Sequence, residues 1–206
     1  MDIAIPIFDG LTALDAIGPY EALSRLADAR VHFLAAEPGP KRTDNGMLAL
    51  IADGALDELR NPAVVVMPGG RGTRALMHDE QMLDWIRGAN ETSEWTTSVC
   101  TGALILGAAG ILDGLEATTH WALMDTLGRL GARPVDRRVV EQGKVITAAG
   151  VSSGIDMALT LAARIAGDQV AQAIQLAIEY DPAPPFDSGS YTKASAEILE
   201  LVARLS

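Results

Sequence analysis

A single cysteine stands where a predicted strand turns into a predicted helix. Cys100 follows the strand-like run Trp95 to Val99, and the small residues from Thr101 to Ala109 after it are predicted to be helical. A sharp strand-to-helix turn lifts a side chain above the sheet, as in a nucleophile elbow. The free amides at a helix start also stabilise a thiolate. Cys100 is therefore a candidate nucleophile, although an inert, buried cysteine would have the same sequence signature.

Two other loops and one histidine carry residues that could act with this thiol. Pro68-Gly69-Gly70 is either an ordinary turn or a pair of free amides that hold negative charge. Asp15, just before the first predicted helix, is either a helix N-cap or a proton donor whose pKa is raised beside the thiol. His120 lies 20 residues after Cys100 and fits a thiol-activating base or a structural histidine equally well.

The elements that must position these residues alternate between strands and helices. This alternation predicts a doubly wound α/β fold with a mostly parallel sheet and helices on both faces. Such sheets bind ligands beyond the carboxyl ends of their strands, which here selects the loops after Phe8, Met67 and Val99. The predicted strands include Ile3–Phe8, Val31–Ala36, Ala63–Met67 and Trp95–Val99.

Proline, glycine and serine positions predict several element boundaries. The first helix is expected to begin near Pro19, because proline is tolerated in a first turn. Pro6 places its strand at an edge or lies near the strand's end. Ser153 is expected to cap a helix that continues to Ala166. Residues 139–148 are predicted to form a hairpin around Gln142-Gly143, and residues 38–46 to form turns.

Composition excludes several classes of protein. The 206 residues carry 16 Lys and Arg against 27 Asp and Glu, a net charge of -11 that disfavours a general nucleic-acid or anionic-membrane surface. One cysteine and three scattered histidines exclude a disulfide framework within the chain and give no metal-ligand spacing. The chain shows no signal-peptide pattern and no membrane-length apolar run. We expect one cytoplasmic domain over residues 1–206.

These motifs resemble the ThiJ/PfpI superfamily, which has a flavodoxin-like, class I glutamine amidotransferase-like fold. The likeness covers nearly the whole chain. Within the superfamily the chain resembles the isonitrile hydratases, because it has an aspartate at position 15 where many relatives have glutamate. The motifs are Leu14-Asp15 with Gly18-Pro19-Tyr20-Glu21, Ser98-Val99-Cys100-Thr101-Gly102, Thr118-Thr119-His120-Trp121, Gly154-Ile155-Asp156 and Glu179-Tyr180-Asp181-Pro182-Ala183-Pro184-Pro185-Phe186.

The resemblance implies an activity and roles for particular residues. The activity is hydration of isonitriles to N-substituted formamides through a covalent thioimidate. Cys100, Asp15 and Thr101 stand at the catalytic positions of these enzymes. Backbone amides at Gly69 and Gly70 are expected to stabilise charge during the reaction.

The resemblance also bears on cofactors and partners. His120 is left as an accessory residue, because the implied chemistry does not need it. The reaction requires neither a metal nor an organic cofactor. We expect a homodimer that binds a small isonitrile and neither nucleic acid nor a membrane.

Three other functions stay open at the level of sequence. The chain could be another thiol enzyme of the superfamily, with amidase-like, glyoxalase-like or deglycase-like activity. It could be a cysteine redox sensor, although it has no second cysteine to form a disulfide. It could also be a ligand-binding regulator, but a chain ending at Ser206 is expected to leave no room for a DNA-binding module.

Overall fold

The computed structural model describes residues 1–205, so the predicted domain boundary at Ser206 lies outside the described residues. Within this range the strands are β1 (Asp2–Pro6), β2 (Arg30–Ala35), β3 (Gly39–Arg42), β4 (Ala49–Ala52), β5 (Gly54–Ala55), β6 (Val64–Met67), β7 (Trp95–Val99), β8 (Glu116–Ala117), β9 (Arg133–Pro134), β10 (Val139–Gln142) and β11 (Val145–Ala148). The helices are α1 (Ala13–Leu23), α2 (Thr73–Leu76), α3 (Glu80–Thr92), α4 (Gly102–Ala108), α5 (Met124–Arg129), α6 (Ser153–Ala166), α7 (Asp168–Ala177) and α8 (Ala196–Leu205).

The central sheet has the predicted doubly wound, mostly parallel form. Its strand order is β10-β11-β7-β6-β1-β2-β5, and β10 alone among these strands runs antiparallel to its neighbour. The strands β7, β6 and β1 are direct neighbours and run in one direction. The loops that follow them therefore leave the same edge of the sheet side by side, as the sequence predicts.

Helices surround this sheet in two packed groups, α1 with α6 and α7, and α4 with α3 and α5. Helix α3 shows how the sequence builds such a layer. Asp79 caps it, because its Oδ1 accepts the amide of Met82 at 3.1 Å. Met82, Leu83, Ile86 and Ala89 then recur at helical spacing, and all four are buried.

The core strand β6 and helix α4 approach each other closely beneath the cysteine. Every residue of β6 is fully buried, as its continuous apolar run predicts. A Cβ at Gly102 would lie 2.1 Å from the carbonyl oxygen of Met67. Glycine at this position therefore lets α4 start directly against the end of β6, which fixes where Cys100 emerges.

The start of α1 differs from the prediction. The helix begins at Ala13, and Pro19 lies inside it rather than in its first turn. Proline removes one backbone hydrogen bond there, but the turn before it buries Ala16 and Asp15, so packing outweighs the local preference of proline. The N-cap residue is Thr12, so Asp15 is not a helix cap.

Other element boundaries agree with the sequence in part. Residues 39–42 form β3, which pairs with β4, where the sequence predicts turns over 38–46; the predicted turn at Asn45-Gly46 is present between these two strands. The cap residue before α6 is Ser152, whereas the Ser153 hydroxyl donates to the Gly150 carbonyl oxygen at 2.8 Å. The hairpin β10–β11 is confirmed. Pro6 is the last residue of β1, an internal strand, so the second of its two predicted placements is confirmed.

Candidate active site

The nucleophile elbow predicted at Cys100 is present. Its φ is +55°, a left-handed backbone conformation that is uncommon for residues other than glycine. Its amide donates to the carbonyl oxygens of Ala148 at 3.1 Å and Ala149 at 2.8 Å. Its own carbonyl oxygen accepts the Thr119 hydroxyl at 2.7 Å. Three hydrogen bonds thus hold a strained residue in place, a combination that is typical of functional sites.

The sulfur of Cys100 is shielded from water and in contact with backbone donors. The amides of Thr101 and Val151 both donate to it, and both lower its pKa. Burial and the negative charge of Asp15 act in the opposite direction and raise the pKa of the thiol to about 12. Burial therefore opposes the thiolate that a helix start favours, because Cys100 is only 4% exposed and desolvation outweighs two amide contacts.

Asp15 places a carboxyl group beside this thiol, deep in the molecule. Its side chain is fully buried, and its Oδ2 accepts the Gly69 amide at 2.9 Å. Its Oδ1 has no hydrogen-bond partner among the described residues. Burial raises the pKa of Asp15 to about 7, opposed by the Gly69 amide and by an interaction with the Cys100 side chain. Both protonation states of this carboxyl are thus accessible near neutral pH, as expected for a proton donor and acceptor.

Hydrogen bonds between loops bring Asp15 to the cysteine. The amide of Thr12 donates to the carbonyl oxygen of Gly69 at 2.9 Å, and the amide of Gly72 donates to the carbonyl oxygen of Gly10 at 3.0 Å. These bonds join the loop after β1 to the loop after β6. The first turn of α1 starts from this junction and carries Asp15, so the carboxyl approaches the elbow across the loop after β6, the strand between β1 and β7.

The amides of the two glycines after β6 donate to side chains, whereas the sequence suggests that they are free to stabilise charge in the reaction. The Gly69 amide donates to Asp15, and the Gly70 amide donates to Oγ1 of Thr101 at 2.8 Å. Thr101 Oγ1 in turn donates to the Gly70 carbonyl oxygen at 3.1 Å. A Cβ at Gly69 would lie 2.5 Å from the Thr101 amide nitrogen. Both glycine amides therefore hold side chains in position, and the amides on the sulfur are those of Thr101 and Val151.

His120 lies near the cysteine but is engaged elsewhere. Its Nδ1 accepts the Ala122 amide at 3.4 Å at the start of a 3-10 turn, Trp121–Leu123. Its ring contacts Gly150, where a Cβ would lie 3.2 Å from its Cδ2. Burial lowers the pKa of His120, which favours the neutral ring. None of the hydrogen bonds described for residues 1–205 joins it to Cys100.

A cavity of about 540 Å³, which we call the outer cavity, opens beside the elbow. Its inner end is formed by Thr119, Ala149 and Val151, the residues whose backbone or side chain hold Cys100. A cavity of similar size between residues 56–61 and α3 contains none of the residues that contact Cys100. The outer cavity is lined by residues 118–121, 124, 136–138, 149–152 and 189–192.

Sequence reasoning missed two residues of this region. Val151 donates its amide to the sulfur, and a backbone donor has no sequence signature. Tyr191 forms part of the cavity wall from a segment without helix or strand. An aromatic residue in an otherwise polar, proline-rich segment is the signal that could have pointed to it.

Metal centres and membrane spans have no candidates in the described part of the chain. Among residues 1–205 no group of three His, Cys, Asp or Glu side chains is arranged to hold a metal ion. Within the same residues no helix is both long enough and apolar enough to cross a bilayer.

Comparison with known proteins identifies the family of this chain. Residues 1–164 match the model of the DJ-1/PfpI family. The chain belongs to the DJ-1/PfpI family. A member of this family from Pseudomonas syringae, described as a ThiJ/PfpI family protein, has a crystal structure that superposes with a TM-score of 0.95 and 36% identity, covering 99% of this chain and 85% of that one.

Curated relatives in the DJ-1/PfpI family differ in function. The chain is 44% identical over 200 residues to isonitrile hydratase of Pseudomonas putida, which covers 97% of this chain and 87% of that enzyme. It is 32% identical over 174 residues to the HTH-type transcriptional regulator CdhR of Pseudomonas aeruginosa, covering 82% of this chain but 51% of the regulator.

Proposed function

We propose that this protein is an isonitrile hydratase, which converts an isonitrile and water into an N-substituted formamide. The observation that carries this proposal is the buried pair of Asp15 and Cys100. A carboxyl with a pKa of about 7 lies beside a thiol whose pKa is raised, and residues that contact the thiol line a cavity. Similarity to the Pseudomonas putida enzyme over almost the full length of both chains supports the same reaction.

An isonitrile needs a nucleophile and a proton at the same atom. Its terminal carbon bears a lone pair, so that carbon accepts a proton and also accepts a nucleophile. In the first step the Asp15 carboxylate takes the proton of the Cys100 thiol and passes it to this carbon. The carbon lone pair forms the C–H bond, the sulfur lone pair forms the C–S bond, and one C–N π pair moves to nitrogen. The product is a thioimidate, R–N=CH–S–Cys100.

Water completes the reaction in the second step. The water oxygen adds to the thioimidate carbon, while Asp15, again a carboxylate, takes a proton from this water and passes it to the nitrogen. The C–S bond then breaks, the sulfur leaves with the electron pair and regains a proton, and the hydroxyl becomes a carbonyl. One water is consumed, and the formamide and the free thiol are released.

The surrounding residues position the reacting groups. The amides of Thr101 and Val151 stabilise negative charge on sulfur as it attacks and leaves. Gly69 and Gly70 orient Asp15 and the Thr101 hydroxyl through their amides. The partnerless Oδ1 of Asp15 is the oxygen available for proton exchange.

The setting of the reaction follows from the same chemistry. A free thiol must stay reduced, which favours the cytoplasm. The steps above need neither a metal nor an organic cofactor. We propose a homodimer, on the resemblance to the superfamily, and light scattering of the purified protein at micromolar concentration tests its mass.

The structure disfavours the redox-sensor alternative. A sensor cysteine is an accessible thiol with a low pKa. Cys100 is 4% exposed, and burial raises its pKa to about 12. The pair with Asp15 instead favours a thiol that reacts when an isonitrile is bound, because the isonitrile carbon accepts the proton that Asp15 takes from the thiol.

The test is an assay of 4-nitrophenyl isonitrile with the wild-type protein, Cys100→Ser and Cys100→Ala. We expect the wild-type protein to form the formamide and both variants to show no turnover above buffer, because the sulfur forms the covalent bond. Intact-mass and peptide spectra should show an adduct with the full mass of the isonitrile, confined to Cys100.

Two results would contradict the proposal. One is an adduct at another residue with full activity in Cys100→Ser. The other is conversion of methylglyoxal to lactate without consumption of the isonitrile, which would assign the protein to the other thiol enzymes of the family.

A further inference from the structure

The outer cavity is closed on one side by a segment beyond the region that matches the family model. That match ends at residue 164, whereas residues 189–192 line the cavity. The wall that these residues build therefore belongs to the C-terminal segment, outside the part of the chain that the family model covers.

The segment is braced into a defined loop. The amides of Lys193 and Ala194 donate to the Ser190 carbonyl oxygen at 3.1 and 3.0 Å, and Lys193 forms an ion pair with Asp187. These contacts form a turn that presents Tyr191 at its tip.

Tyr191 connects this loop to the body of the domain. Its ring stacks on that of Trp121, with centroids 5.9 Å apart and an interplanar angle of 19°. Its hydroxyl donates to Oδ2 of Asp136 at 3.3 Å. Trp121 is 40% and Tyr191 is 41% exposed, so each contributes uncovered aromatic surface to the cavity wall.

The charged side chains of the cavity wall already have partners. Arg137 pairs with Glu116, and Arg138 pairs with Asp156. Asp136 accepts the Tyr191 hydroxyl. Both arginines are thus paired with carboxylates, and Asp136 is held by a neutral hydroxyl, so an anionic ligand would have to displace an ion pair. The wall favours an uncharged ligand with a flat face.

The shape of an isonitrile directs its substituent into this cavity. The R–N≡C unit is linear, so an isonitrile with its carbon at the Cys100 sulfur projects its R group away from the sulfur. Val151, whose amide contacts the sulfur, is also a residue of the cavity wall. The outer cavity thus begins where the reacting carbon must lie and extends toward Trp121 and Tyr191.

We propose that the outer cavity holds the organic substituent of the isonitrile, and that the Trp121–Tyr191 wall selects uncharged, planar, unsaturated substituents such as an aryl ring. This inference rests on the proposed function and names its substrate class. Tyr191 is a specificity-determining residue that takes no part in proton transfer or in the attack of sulfur.

The experiment compares phenyl isocyanide with methyl isocyanide in wild-type protein, Tyr191→Ala and Phe186→Ala. Phe186 is the matched control, an aromatic residue of the same segment that is 77% exposed and lies outside the cavity wall. We expect the ratio of kcat/KM values, phenyl over methyl, to fall about tenfold in Tyr191→Ala, the size expected for loss of an aromatic contact. In Phe186→Ala the ratio should stay within about twofold of wild type, since that side chain contributes no contact of this kind.

Two further measurements separate the ring from its hydroxyl and binding from turnover. Tyr191→Phe keeps the ring and loses the bond to Asp136, so it should retain most of the preference for phenyl isocyanide. Affinity for N-phenylformamide, followed by tryptophan fluorescence, should weaken in Tyr191→Ala and stay unchanged in Phe186→Ala.

The outcomes distinguish this inference from the function on which it rests. Turnover of both isocyanides with a ratio insensitive to Tyr191→Ala overturns the assigned cavity and leaves the hydratase intact. Equal affinity of wild type and Tyr191→Ala for N-phenylformamide overturns the assigned cavity in the same way. Wild-type protein inactive on both isocyanides overturns the hydratase itself, and with it the substrate class.

Discussion

The pair of Asp15 and Cys100 and the wall of Trp121 and Tyr191 are built in different ways. The first pair is almost fully buried, with Cys100 directly after β7 and Asp15 in the first turn of α1, which follows β1. The second pair is about 40% exposed and joins a 3-10 turn to a loop that has no regular structure.

The difference in burial separates two tasks. Desolvation raises the pKa of both members of the buried pair, so near neutral pH the thiol holds its proton and the carboxyl exchanges one. The exposed pair of Trp121 and Tyr191 provides aromatic surface for contact and transfers no proton in the proposed reaction. Chemistry is thereby placed where the sheet is rigid, and selectivity where loops can vary. Changes in the first region should affect every isonitrile alike, and changes in the second should depend on the substituent.

The largest effect is expected from Asp15→Asn. An amide cannot shuttle the proton, so kcat should fall by about 10²–10⁴-fold, the usual contribution of such proton transfers. The loss should be the same for phenyl and methyl isocyanide. Steady-state rates and circular dichroism measure activity and folding together.

Asp2→Asn is the matched control for this change. Asp2 forms ion pairs with Arg30 and His32 at the opposite end of β1 from the elbow. It should keep activity within about twofold of wild type, as is usual for a substitution away from a special feature. An Asp15→Asn enzyme as active as this control would remove Asp15 from the reaction.

The pH profile should report the buried pair. The reactive form carries one proton shared by Asp15 and Cys100, so kcat/KM should rise about tenfold per pH unit below pH 7 and then level off. The sign follows from the raised pKa of Asp15, since below it both groups are protonated and no base is present. This rise of kcat/KM with pH should be absent in Asp15→Asn. A rise centred near pH 4 in the wild-type protein would contradict the raised pKa of Asp15, because it would indicate a carboxyl that is exposed to water.

The smallest effect is expected from His120→Ala. The ring caps a 3-10 turn and lines the outer cavity without a hydrogen bond to Cys100 in residues 1–205. Loss of one weak cap and some wall surface should lower kcat/KM about threefold, mainly through KM. A loss in kcat as large as that of Asp15→Asn would show that His120 takes part in proton transfer. It would also contradict the separation of catalysis and selectivity between the two regions.

The chemistry of the buried region was largely predictable from sequence, and its electrostatics were not. A cysteine between a strand and a helix, a glycine pair after an apolar strand and an acid after the first strand all follow from local patterns. The pKa of Cys100 depends on how many atoms exclude water from the sulfur, a quantity that no local pattern contains. Burial therefore disfavours a thiolate at Cys100 although a helix start favours it, whereas the raised pKa of Asp15 was anticipated because burial raises the pKa of a carboxyl.

What the sequence determined by itself is the alternation of strands and helices and the identity of the residues at three strand ends. These depend on hydrophobic periodicity and turn residues, which act over a few positions. Only the tertiary structure decided that the Val151 amide reaches the sulfur, that the Gly69 and Gly70 amides hold Asp15 and Thr101, and that Tyr191 closes the cavity. Those contacts join segments that are distant along the chain, so they form only when packing of the whole domain fixes their relative positions.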